Sequence, residues 1–161
     1  ALPISTMGHI DLPRAEDAGV NLLVFAAATK IPMGFHESGT DESQPDILNL
    51  VYGSRFSPQT FMTPFERAMY QSKRLHNLAG QSRGRMHIVR KQQDLNRAAE
   101  GNSMGALLGF EGAQAVGERV ENIIRLFDAG YRVAGYCHFI DNAYACSKHG
   151  AKRAGDRKSV V

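Results

Sequence analysis

Tryptophan is absent from this 161-residue chain, cysteine occurs only twice, and no apolar run reaches the roughly 18 residues that a helical membrane span requires. The short runs exclude a helical membrane span. Cys137 and Cys146 stand nine positions apart, which matches neither a disulfide framework nor a clustered zinc motif, so both are expected to be free thiols. No succession of basic, apolar and small-residue regions opens the chain as a signal peptide would. The chain also opens on Ala1 without an initiator methionine, so a preceding segment is expected to be missing and the compartment is left unassigned.

Charge of one sign is scarce as well. The net charge is only +3, from 19 basic and 16 acidic side chains, although residues 1–50 carry two basic against seven acidic groups. The basic excess gathers in a C-terminal tail, about residues 148–161, where Asp156 alone opposes Lys148, Lys152, Arg153, Arg157 and Lys158. No interleaved aromatics or nucleic-acid motif accompany that tail, so it is read as solvated and no nucleic-acid partner is expected. A hydrophobic content of 43% supports one core and a single domain over residues 1–161.

Strands alternate with helices. Val20 to Ala28 reads as a buried inner strand, and residues 30–60 read as a long loop with a short helix around Ile47 to Tyr52. Thr63-Pro64-Phe65-Glu66 is a helix start, with Thr63 as cap, Pro64 in the first turn and Glu66 closing a capping box. That helix is expected to run to Ala79-Gly80, followed by a strand at Met86 to Val89 and a helix from Lys91 to Glu100. The apolar run Gly105 to Phe110 has no polar alternation, which suits a strand covered on both faces of a parallel sheet. It ends in Glu111 and Gly112. From Glu118 to Gly130, Val120, Ile123, Ile124 and Phe127 fall at helical spacing. A further strand, Tyr131 to Tyr136, then delivers Cys137, His138 and Asn142 to the same sheet end as Glu111, where chemistry sits in barrels of this kind.

Several separate blocks carry a resemblance: Gly109-Phe110-Glu111-Gly112-Ala113, Leu126-Phe127-Asp128-Ala129-Gly130-Tyr131-Arg132, His138-Phe139-Ile140-Asp141-Asn142 and Ser147-Lys148-His149-Gly150. Upstream, His9-Ile10-Asp11-Leu12-Pro13-Arg14, Gly19-Val20 and Arg67-Ala68-Met69-Tyr70 extend it to roughly residues 8–150. The chain resembles the membrane (renal-type) dipeptidase family of zinc metallopeptidases, in particular its bacterial branch. The resemblance implies an α/β chain forming part of a (β/α)₈ TIM-type barrel, and since such barrels take about 250 residues, roughly the first half of one.

It also implies a site. Two zinc ions in the family's complete site would supply a strong nucleophile and a counter-charge for the oxyanion of a cleaved dipeptide. By the resemblance, Glu111 stands at the bridging metal ligand, its two oxygens each taking one metal, and His138 at the histidine that contacts substrate rather than metal. His9 and Asp11 look like a metal-binding pair, but the family places that pair earlier, so they are read as a decoy. The remaining ligands would follow Val161. His36, His76, His87 and His149 are not expected to replace them, His149 matching a structural Ser-x-His-Gly turn.

The leading expectation is therefore a fragment of a zinc-dependent dipeptidase with an incomplete site, inactive alone. Two open strand edges would invite self-association. The alternative expectation is a catalytically inactive binding or scaffold module built on a truncated barrel.

Overall fold

The computed structural model describes residues 10–34, 44–48, 63–117, 119–147 and 149–150. The first helix, α1 (Leu12–Asp17), starts where the Asp11 carboxylate accepts a hydrogen bond from Arg14 N at 2.9 Å, satisfying a donor that the first turn leaves free. Asp11 is thus a buried helix cap. His9 lies outside the described residues.

Strand β1 (Leu22–Ala28) follows, then the long helix α2 (Pro64–Gln81). Thr63 Oγ1 accepts from Glu66 N at 3.1 Å and Pro64 occupies the first turn, as the sequence predicts, but the Glu66 carboxylate accepts from Thr63 Oγ1 at 3.2 Å rather than from Thr63 N, so the expected capping box is not closed. The remaining elements are β2 (Met86–Ile88), α3 (Gln92–Ala99), β3 (Met104–Glu111), a 3₁₀ turn (Ala113–Ala115), α4 (Asn122–Asp128) and β4 (Tyr131–Ala134). At the head of α3 the Asp94 carboxylate accepts from the Arg90 and Lys91 amides at 2.8 and 3.0 Å. Those backbone hydrogen bonds hold Asp94 below the usual carboxylate range. The short helix expected around Ile47 to Tyr52 and the basic tail fall almost wholly outside the described residues.

All four described strands are parallel and β3 is their hub. Strand β1 pairs along it from Leu22↔Gly105 to Ala28↔Glu111 and so fills one edge. The other edge is shared end to end. Strand β2 takes Met104 to Ala106 and β4 takes Leu108 to Phe110, with a register shift between Leu108 and Gly109. Gly105 is required at the crowded end, because a Cβ there would meet Ala98 and Val89 at 2.9 Å.

Every residue of β3 except Glu111 is buried or partly buried, as expected of a strand covered on both faces. Its core partners include Leu12, Ala68, Leu75 and Leu126. Tyr131 packs edge-on against Phe110, with ring centroids 5.6 Å apart, and its hydroxyl donates to Ala68 O at 2.7 Å. Burial pushes the Tyr131 hydroxyl well above its ordinary pKa. Helix α2 also captures the end of α4, since Ser72 Oγ and His76 Nε2 both donate to Ala129 O, at 2.6 and 3.1 Å.

Two expectations fail in an instructive way. Strand β1 is not covered throughout: Val24 is 50% exposed and Leu22 is exposed as well. The helix predicted from Glu118 to Gly130 forms only over Asn122–Asp128, and its apolar stripe of Val120, Ile123, Ile124 and Phe127 faces outward. The inward positions are Leu126 and Asn122, whose amide donates to Val116 O at 2.9 Å. Periodicity identified the helix correctly but could not say which layer its apolar stripe meets. Among the described residues, no helix is long and apolar enough to cross a membrane.

Candidate functional site

Parallel strands place their following loops at one end, so the turn after β3 and the loops after β1 and β4 form a common rim. Glu111, the last residue of β3, has a side chain 48% exposed at that rim. Gly112 turns the chain there with φ +88°, and a Cβ on it would collide with the Gln114 side-chain carbonyl. Ala113 N then donates to Tyr136 O at 3.0 Å, which ties the turn after β3 to the loop after β4.

That second loop brings His138 to Glu111. His138 Nε2 lies 3.6 Å from Glu111 Oε2, outside direct hydrogen-bond range. Its other nitrogen, Nδ1, is buried and has no hydrogen-bond partner. An orphaned buried N–H is rarer than an orphaned lone pair, so this arrangement favours a proton on Nε2, the nitrogen on the Glu111 side. The Phe139 ring stacks on the imidazole, with centroids 3.8 Å apart.

The loop holding His138 is laced by its own side chains. Ser147 Oγ donates to His138 O at 2.8 Å and accepts from His149 N at 3.2 Å. The Asp141 carboxylate accepts from Ser147 N at 2.6 Å. Asn142 donates to Tyr136 O at 2.7 Å and accepts from Tyr144 N and Ala145 N. Asn142 and Ser147 thus hold this loop together, and Cys137 and Cys146 are free thiols.

On the opposite side of Glu111, the segment after β1 is fixed by a residue that sequence reasoning left without a role. Arg67 of α2 is buried, and its guanidinium donates to Thr29 O and to the Asp46 carboxylate. The other Asp46 oxygen accepts from Ile31 N and Leu48 N at 3.2 and 3.1 Å. One buried ion pair therefore joins helix α2 to both arms of this loop. Arg67 stands inside one of the blocks that carry the family resemblance, yet nothing local marks it as a clamp.

One carboxylate and one imidazole do not make a two-metal donor set. Among the described residues no group of three His, Cys, Asp or Glu side chains converges, so no reaction step is routed through a metal here. His36 lies outside the described residues, His76 bonds Ala129 O, and His87 bridges Ser103 Oγ and Asp94 O at 2.9 and 2.8 Å. An apolar cleft of about 600 Å³ runs along β1 and α2 beside Phe25 and Leu75, and neither Glu111 nor His138 lines it.

Residues 2–160 match the membrane dipeptidase family, peptidase family M19. The chain belongs to that family. Comparison with curated proteins gives no match. Among solved structures the chain is similar to dipeptidase AC, a metallopeptidase of family M19, with 18% identity and a TM-score of 0.58 over 82% of this chain. It is also similar to a metallopeptidase from Rhodobacter sphaeroides liganded with a phosphinate mimic of the dipeptide L-Ala-D-Ala, with 17% identity and a TM-score of 0.61 over 83% of this chain. The chain spans 34% and 37% of the lengths of those two. Its parallel sheet and flanking helices are the corresponding part of the M19 barrel. The family is one of metallodipeptidases.

Proposed function

We propose that this chain is part of a zinc-dependent dipeptidase, contributing Glu111 as the carboxylate that bridges two zinc ions and His138 as the group that contacts substrate. The observation that carries this reading is the meeting of Glu111 and His138 at the carboxyl ends of adjacent parallel strands, 3.6 Å apart. Bound zinc would activate water and counter the developing oxyanion. With its proton on Nε2, His138 would donate to the scissile carbonyl or its tetrahedral product, a contact stronger at the charged stage than in the ground state. The other metal ligands would come from the rest of a complete barrel, so the 161-residue chain alone is inactive in this reading.

The test is hydrolysis of a small dipeptide panel by the purified chain with added zinc, beside Glu111→Gln. No turnover above that variant is expected. Zinc-dependent turnover lost in Glu111→Gln would keep the role of Glu111 and overturn the incomplete site. Zinc-dependent turnover that survives the substitution would remove Glu111 from the metal site.

The open edge of β1 supports a second part of the reading, self-association. No described strand pairs with that edge, and Leu22 to Ala28 carry no charge or proline to block it. Val24→Lys should lower the association seen by light scattering while changing stability by less than about 0.5 kcal/mol, as surface substitutions usually do. Unchanged association would place the contact elsewhere.

A further inference from the structure

The two edges of the sheet carry apolar surfaces of different shape. At the β1 edge, the cleft of about 600 Å³ is walled by Leu23, Phe25 and Ala27 and by Leu75 and Leu78 of α2, and Val24 lines it while 50% exposed. This surface is concave. At the β4 edge, the turn into α4 and the helix itself expose Val120, Ile123, Ile124 and Phe127, each between 48% and 65%. Arg132 of β4 stacks its guanidinium on the Phe127 ring at 3.7 Å, which sets this stripe beside β4, on the side of β3 away from β1. A helix stripe is convex.

Area and shape decide how these surfaces are best covered. Four such side chains, about half exposed, present roughly 400 Å² of apolar surface, as much as the largest patch on an ordinary monomer. A second patch lies at the cleft, where Leu22 and Val24 are exposed on the strand whose outer edge no described strand pairs. A specific contact buries about 800 Å² on each partner, so one patch per copy falls short of it. Pairing cleft with cleft would enclose an empty hollow whose lining loses its dispersion contacts, and would leave both stripes in water. Pairing stripe with stripe would leave both clefts and both β1 edges open. Seating a stripe in a cleft covers both surfaces and places a helix over an unpaired strand edge, one of the ways in which proteins blunt such edges. Each inner copy of such an array buries roughly 800 Å² in all, about twice what either like-with-like contact allows.

We propose that the 161-residue chain associates head to tail, with the α4 stripe of one copy seated in the cleft between β1 and α2 of the next. This rests on the self-association reading above and adds the surface that occupies the cleft. The contact joins two different faces, so it does not stop at a dimer unless the copies close into a ring.

The experiment follows mass by sedimentation velocity from about 1 µM to 1 mM for the unaltered chain, for Val24→Lys, for Ile124→Glu and for an equal mixture of the two variants. Both positions are exposed, and Ala26→Lys with Ile123→Glu repeats the test at neighbouring exposed positions should either first variant fail to fold. The unaltered chain is expected to pass the mass of a dimer as concentration rises, and each variant to stay monomeric. Their mixture should form a complex of one copy of each that grows no further, because only one intact stripe then meets one intact cleft. Association of Ile124→Glu alone, with none of Val24→Lys, would keep the contact at β1 and overturn the seating of the stripe. The reverse pattern would move the contact to stripe against stripe and overturn the proposal. A mixture without the mixed complex would overturn it too. An unaltered chain that stays monomeric, or two variants that associate as it does, would overturn the self-association reading as well.

Discussion

The two loops that flank Glu111 are fastened in different ways. The loop after β4 is held from within: Asn142, Asp141 and Ser147 bond to backbone groups at most nine positions away. The loop after β1 has its two arms joined by backbone bonds from Met33 N to Pro45 O and from Ile47 N to Ile31 O, and is tied to helix α2 by one buried guanidinium that reaches Thr29 across 38 positions and Asp46 across 21. A loop stapled by several neutral hydrogen bonds loses a little with each. A tie made through a buried ion pair loses more at once, since removing the guanidinium leaves the Asp46 carboxylate without its counter-charge.

The largest expected effect follows from that contrast. Arg67→Met should lower stability by about 3–5 kcal/mol in urea unfolding, the usual consequence of breaking a buried ion pair from one side. A loss below 1 kcal/mol would mean that Asp46 finds another partner and that the loop after β1 is not clamped as described.

Ser147→Ala removes a donor to His138 O and an acceptor for His149 N, and should cost about 1–2 kcal/mol. The change should be local, with hydrogen exchange faster within residues 136–150 and unaltered around Thr29 to Ile31. Equal acceleration on both sides of Glu111 would show that the two loops are one cooperative unit rather than two.

Tyr131 belongs to the platform beneath both, since it lies on β4 and bonds Ala68, the neighbour of Arg67. Its hydroxyl ordinarily titrates near 10, and burial raises that value in the folded chain. The unfolded chain therefore gives up this proton first as pH rises, and folding stability falls above about pH 10. Tyr131→Phe, expected to cost about 1 kcal/mol at neutral pH, should flatten that part of the alkaline decline. An unchanged alkaline slope would assign the decline to other groups.

Much of the site was legible beforehand for reasons the same comparison makes plain. The helix cap at Thr63, the uninterrupted apolar run ending at Glu111 and the Asn and Ser staples of the last loop are short-range patterns, legible from residue type and spacing. The juxtaposition of Glu111 and His138 could be expected from strand direction alone, because parallel strands deliver their ends to one rim. Arg67 could not. An arginine on an amphipathic helix looks solvated until its partner, 21 positions upstream, is known to lie beside it. Gln114 is similar, since only the packed turn at Gly112 reveals that its amide is buried and unpartnered.

By itself, the sequence determined the alternation of strands and helices, the parallel sheet, the family and the two residues that face each other at the rim, because each rests on local periodicity or on ordered motifs. Only the tertiary structure decided that β2 and β4 share one edge of β3, that the apolar stripe of α4 faces outward, and that Arg67 reaches Asp46. Those outcomes depend on which surfaces meet. Apolar periodicity states that a face is to be buried, while the partner that buries it is fixed only when distant segments pack together.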